Sequence, residues 1–220
     1  MGNSSSKAVL MSTELAIRKR RSIRILRDKE IPVLASLPAI ESTQNSFRRS
    51  SSEVAERALA LAKIYLTCQN CSHDALDSAL HKCDLAFMSP MERSFAAKVN
   101  RTERETSKFS WRVECLWVLL WSLNHFDKLD FPDKECDVNL GISKVQSRGV
   151  QCFLREASLR PQNELLDECD LAYRCHWAVV DSRLSRCAVA GLNEDVVIER
   201  HYALNWLIQS VEWDDVIVDT

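Results

Sequence analysis

The chain has 220 residues, 46% hydrophobic and 27% charged, which is long enough to bury a substantial core and ordinary for a soluble globular protein. Only 4 Gly and 5 Pro are too few for the many tight turns of a strand-rich fold and favour helices joined by short loops. The net charge of -2 singles out no partner, and no stretch approaches the roughly 18 uninterrupted apolar residues of a membrane span.

In chain order, residues 1–12 read as a disordered Ser-rich tip, and residues 15–29 as a basic helix ending before Pro32, since a residue ahead of proline is pushed out of the helical region. The opening "MGNSSSK" fits the N-myristoylation pattern, with Gly2 as acceptor and Ser6 at the required offset. A single acyl chain anchors only marginally, so the basic run would be its second signal. Met11 is an alternative start that would remove the pattern. "IPVLASLPAIES", with Pro32 and Pro38, reads as an extended apolar strap. "SSSEVAERALALAKIYL" is a helix with a Ser50/Glu53 capping box and an apolar face of Val54, Ala58, Leu61, Ala62 and Tyr65. A helix over about 74–85 aligns Leu76, Leu80 and Cys83. "SPMERSF" opens another, with Ser89 as N-cap, Pro90 at the first helical position and Glu92 closing the box.

"SWRVECLWVLLWSLNHF" is apolar nearly all round and carries Trp111, Trp117 and Trp121, so residues 111–126 are predicted to be a buried central helix. Pro132, Gly141 and Gly149 interrupt residues 127–160, which are expected to be irregular with a short helix or two. Beyond Pro161, Leu166, Tyr173, Trp177, Val180 and Leu184 recur at helical spacing, with acids in the first turns where the helix dipole favours them. Asn193 caps the last helix. The prediction is a compact all-α domain over residues 13–220.

Charge is unevenly distributed. Residues 18–29 hold Arg18, Lys19, Arg20, Arg21, Arg24, Arg27 and Lys29, whereas acids dominate residues 161–220. A basic arm for nucleic acid would need interleaved aromatic or Gly residues, which are absent, so a protein or small-molecule partner is favoured. Peripheral membrane contact is expected only if Gly2 is acylated. The nine cysteines, an odd number on mostly apolar faces, predict free thiols in a reducing, cytoplasmic compartment and no disulfide framework.

Three blocks carry a family resemblance: "WRVECLWVLLWSL", "LDECDLAYRCHWAVVDSRL" and "VVIERHYALNWLIQSVEWDDVIVDT". "RRSIRILRDKEIPVLASLP" and "EVAERALAL" fit it as well. The chain resembles the bacterial domain of unknown function 4272 family from about Arg20 to Thr220. The resemblance implies a mostly helical soluble domain and no established activity.

Polar residues inside apolar helices are the main functional lead. Helical residues advance by about 100°, so Glu199, Arg200 and His201 cannot all aim at one point. A catalytic group would need Glu199 and His201 to meet Arg174 and His176 from the preceding helix. Candidate binding residues beside them are Arg112, Glu114, Trp177, Asp181, Arg200, Asn205 and Trp206, with Asp214 and Asp215 in the acidic tail. In the structural alternative Glu199 pairs with Arg112 or Arg174, the histidines bond backbone or acids, and Asn205 ties down the tail. "CQNCSH" and "HKC" offer a zinc half-site from Cys68, Cys71, His73, His81 and Cys83, although helical signals on both sides and the lack of a Gly knuckle count against it. Asp214, Asp215 and Asp219 match no cation-loop template, and no cofactor is implied, since phosphate-loop, GxSxG, HExxH and dinucleotide signatures are missing. The reading is therefore a binding or interaction module with a polar pocket between helices. The competitor is a hydrolase-like or transferase-like enzyme using the His/Glu/Arg group.

Overall fold

The computed structural model describes residues 2–69, 85–147, 149–185, 189 and 191–219. Among them every regular element is helical: α1 (Gly2–Asp28), α2 (Ser51–Cys68), α3 (Pro90–Ala97), α4 (Glu103–Ser110), α5 (Arg112–Ser122), α6 (Val138–Gln146), α7 (Val150–Arg155), α8 (Gln162–Ser185) and α9 (Glu194–Ile208). Single 3-10 turns lie at Leu85–Phe87 and Trp213–Asp215.

The caps follow the local chemistry of the sequence. Ser50/Glu53 and Ser89/Glu92 both form complete capping boxes, and Asn193 accepts the Val196 amide, so each helix start has some of its otherwise unpaired N–H groups satisfied. Thr102 and Glu105 make a third box, which starts α4, a helix not anticipated from the sequence. The helix expected over 15–29 starts at Gly2, so residues 2–12 of the expected disordered tip are helical. Beyond Gly2 no Pro or Gly interrupts the run to Asp28, and such a run extends at small cost per residue. The helix expected over about 74–85 lies outside the described residues except at Leu85.

The central helix is shorter than its apolar pattern. It is split from α4 at Trp111 and ends at Ser122, because Asn124 turns left-handed at φ 64°. There the His125 amide bonds the Leu120 carbonyl and the Asn124 amide bonds that of Trp121, the paired geometry of a Schellman C-cap. α1 ends in the same way. Glu30 has φ 58°, its amide bonds Arg27 and the Ile31 amide bonds Leu26, while the Leu26 and Ile31 side chains are buried in one cluster.

Every residue of α5 from Val113 to Ser122 is buried. α5 packs against α2 and α9, α9 lies along α8, and α8 carries α1 on its other side. The main core joins α2, α5, α8 and α9, and a second cluster joins α1, α8 and Val197 of α9.

The strap runs from Ile31 toward Phe47 with turns near 35–37 and 43–46. Its carbonyls are held by cations from the helices: Lys19 on Leu37 O, Arg174 on Pro38 O and Arg18 on Glu41 O. The chain end is fastened by Trp213, which is buried edge-on against Tyr202 and Trp206 at 5.1 and 5.3 Å between ring centres. The Tyr202 hydroxyl donates to the Trp213 carbonyl and the Asn205 amide to that of Ile217 at 3.1 Å.

Candidate functional site

The polar side chains of α9 fan outward as helical geometry requires. Glu199 accepts from Arg112 Nη1 at 3.0 Å and from the Cys115 thiol at 3.1 Å. One residue on, Arg200 donates Nε to Glu114 at 2.9 Å and Nη1 to the Asp130 carbonyl at 2.7 Å. Glu114 also accepts the Cys136 amide at 2.6 Å, so both members of this buried pair have further partners, as a desolvated ion pair requires. Burial, and then the Glu199 carboxylate, push the Cys115 thiol well above its ordinary range, so it is a donor and not a nucleophile.

His201, the third residue of the fan, meets His176 of α8 with Nδ1 to Nδ1 at 3.1 Å. One ring must donate and the other accept, so the pair holds one shared proton and needs two different tautomers. Burial and then the neighbouring His176 push His201 down to about 3, and burial also lowers His176, with Arg183 adding to the shift and Asp219 opposing it. Arg174 takes no part. It grips Asp170 on its own helix at 2.9 and 3.0 Å and reaches the strap. The four candidate catalytic side chains thus divide among three separate contacts: the His pair, Glu199 with Arg112, and Arg174 with Asp170.

Two tryptophans expected to line one pocket belong to different clusters. Trp177 is half-buried beside the second cluster, while Trp206 lies in the main core under the Arg49 guanidinium at 3.9 Å. Asn205 accepts the Cys169 thiol at 3.4 Å besides holding the tail. Asp181 is exposed. Asp214 accepts the Met91 amide at 2.9 Å in the first turn of α3, and Asp215 is exposed. Cys68 is buried with its thiol pushed up to about 11 by desolvation. Cys71, His73, His81 and Cys83 lie outside the described residues, among which no group of three or more His, Cys, Asp or Glu is placed to hold a metal. Gly2 is the first residue of α1, and no described helix is long and apolar enough to cross a membrane.

A different site is built where α1, α8 and α9 meet the 129–132 segment. A cavity of about 220 Å³ is walled by Ile25, Leu129, Phe131, Leu171, Cys175 and Val197, with Arg21, Lys29 and Arg200 among its cations and Glu168 and Asp130 among its acids. Residues 171 and 175 share a face of α8 and residues 21 and 25 share a face of α1, by four-residue spacing, with Lys29 just past the end of α1. Exposed Lys29 stands over the Phe131 ring at 4.3 Å, a cation–π distance. Arg21 pairs with Glu168 at 2.6 Å. Burial raises Glu168, while Arg21 pulls it back.

Of these lining residues only Arg200 was a candidate from the sequence. The signal for Arg21 and Lys29 was the basic run of α1, but their meeting with Phe131 depends on a loop whose path no periodicity encodes.

No curated protein and no solved structure matches the chain. The family model described as a domain of unknown function, DUF4272, matches residues 18–216, nearly the span that the three sequence blocks suggest, and the chain therefore belongs to that family.

Proposed function

We propose that the protein is a non-enzymatic binding module of the cytoplasm, and that its ligand is a small molecule with an apolar body seated between α1, α8 and α9. The observation that carries this reading is the 220 Å³ cavity, with a mainly apolar wall and a few convergent polar groups, Arg21, Lys29 and Arg200. That is the usual make-up of a ligand site, and its volume exceeds the roughly 150 Å³ apolar cavity that takes up benzene. A cytoplasmic setting is supported by the free thiols of Cys115, Cys169 and Cys175, all fully buried, which suit a reducing compartment.

The competing reading, a hydrolase-like or transferase-like enzyme, asks Glu199, His201, His176 and Arg174 to act together. Two of the four are committed elsewhere, Glu199 to Arg112 and Arg174 to Asp170 and the strap, and this favours binding over catalysis.

The test is calorimetric titration with 3-phenylpropan-1-ol, a neutral probe of ring-plus-arm size, on the wild type and on Ala172→Met, which fills the cavity from α8. Saturable binding that Ala172→Met abolishes, with its circular dichroism unchanged, is the expected result. Binding unaffected by Ala172→Met overturns the reading, as does failure of both the alcohol and its carboxylate analogue, 3-phenylpropionate, to bind.

A further inference from the structure

The charges around the cavity do not cancel. Arg21 is matched by Glu168 at 2.6 Å, Arg200 by Glu114 at 2.9 Å, and Asp130 by Lys128 at 3.2 Å. Lys29 has an aromatic ring under its ammonium and no ion pair among the described residues, so the lining carries one surplus positive charge. Arg200 adds a directional element. Its Nε and Nη1 are used, but Nη2 makes no hydrogen bond among the described residues and is not sealed from solvent. The residue itself is only 3% exposed. A guanidinium fixed by two bonds presents its third nitrogen in a set direction, and this one belongs to a side chain that lines both the cavity and a second pocket beside Trp117 and Cys136.

From this geometry, and resting on the cavity being the ligand site, we infer that the ligand is a small organic carboxylate: its apolar tail lies along Leu171, Cys175 and Val197 and its carboxylate takes Arg200 Nη2 and Lys29. A neutral ligand would leave the Nη2 donor unused and the Lys29 charge uncompensated. A phosphate would bring two charges to a site with one surplus cation. The carboxylate matches both the surplus charge and the fork of donors, and charge-assisted bonds of this kind are about twice as strong as neutral ones.

The experiment compares 3-phenylpropionate with 3-phenylpropan-1-ol, nearly equal in shape and differing in charge, by calorimetry at low salt. In the wild type the carboxylate is expected to bind about tenfold more tightly, as one extra charge-assisted bond implies. Lys29→Met should cut that ratio about threefold. Arg200→Lys keeps a cation for Glu114 but loses the free nitrogen, and should cut the ratio about threefold as well. Circular dichroism unchanged from wild type reports that each variant folds. If Arg200→Lys loses the alcohol as well, Lys29→Met and a salt titration decide, and a wild-type preference that neither moves overturns the inference. Equal binding of the two probes, or preference for the alcohol, overturns the carboxylate and leaves the cavity standing. Failure of both probes removes both readings.

Discussion

His201 makes the fold acid-labile in a defined window. Its ring is 2% exposed, contacts His176 through Nδ1, faces the Tyr173 ring at 6.0 Å, and is held in the neutral form down to about pH 3, whereas the unperturbed value is 6.5. The unfolded chain therefore takes up a proton as pH falls through 6.5, while the folded chain refuses it until about 3. Stability present above pH 6.5 is lost progressively below it. With these two values the linkage relation gives a loss of about 2 kcal/mol between pH 8 and pH 5 from this residue alone. Urea unfolding of the wild type and of His201→Gln, at pH 8, 7, 6 and 5, isolates the effect, because carboxylates titrate alike in both and cancel in the difference. Gln can still bond His176 but has no proton to gain. The stability gap between the two proteins should shrink by about 2 kcal/mol from pH 8 to 5. A gap constant to within about 0.5 kcal/mol would refute the buried neutral pair, as would a His201 imidazole that titrates near pH 6 by NMR.

The left-handed Glu30 at the end of α1 should be relieved by glycine. Glu30→Gly is expected to stabilise by about 1 kcal/mol, read as a higher urea midpoint at unchanged slope. Glu114→Gln removes the charge opposite buried Arg200 and should destabilise by about 3 kcal/mol in the same assay, and a loss under about 1 kcal/mol would show that the pair is not desolvated. Trp213→Ala should cost about 3 to 5 kcal/mol, since it empties the socket between Tyr202 and Trp206. Its exposed neighbour gives the control: Asp215→Ala should stay within about 0.5 kcal/mol of wild type.

Local signals in the sequence were legible wherever one residue's chemistry decided the matter. Ser50, Ser89 and Asn193 each cap the helix they were expected to cap, because an N-cap bond spans only three residues. The apolar run around Trp117 was legible as buried, but its length was not. An apolar pattern cannot register that Asn124 adopts φ 64°, and the helix stops there although Phe126 continues the pattern. The fan of α9 could be worked out from the angle per residue alone. Its partners could not, because Glu199 to Arg112, Arg200 to Glu114 and His201 to His176 span 87, 86 and 25 residues, and spacing says nothing about which helices cross.

The same limit explains why the cavity differs from the site the sequence suggested. Polar groups that interrupt apolar helices stand out in the sequence, and most of them are buried, mutually satisfied and committed to holding α5, α8 and α9 together. A buried polar group left in a stable fold is under pressure to find a partner. The conspicuous ones are therefore mainly struts. Arg57 and Arg174 also keep a nitrogen unpartnered among the described residues, but those nitrogens are sealed from solvent, whereas the side chain of Arg200 lines the cavity. Arg200 is anchored through Glu114 to the central helix and through the Asp130 carbonyl to the loop that walls the cavity, so the interaction that stabilises the core also holds the remaining nitrogen in place. A ligand bonding that nitrogen would meet a preorganised group, with little ordering cost on the protein side.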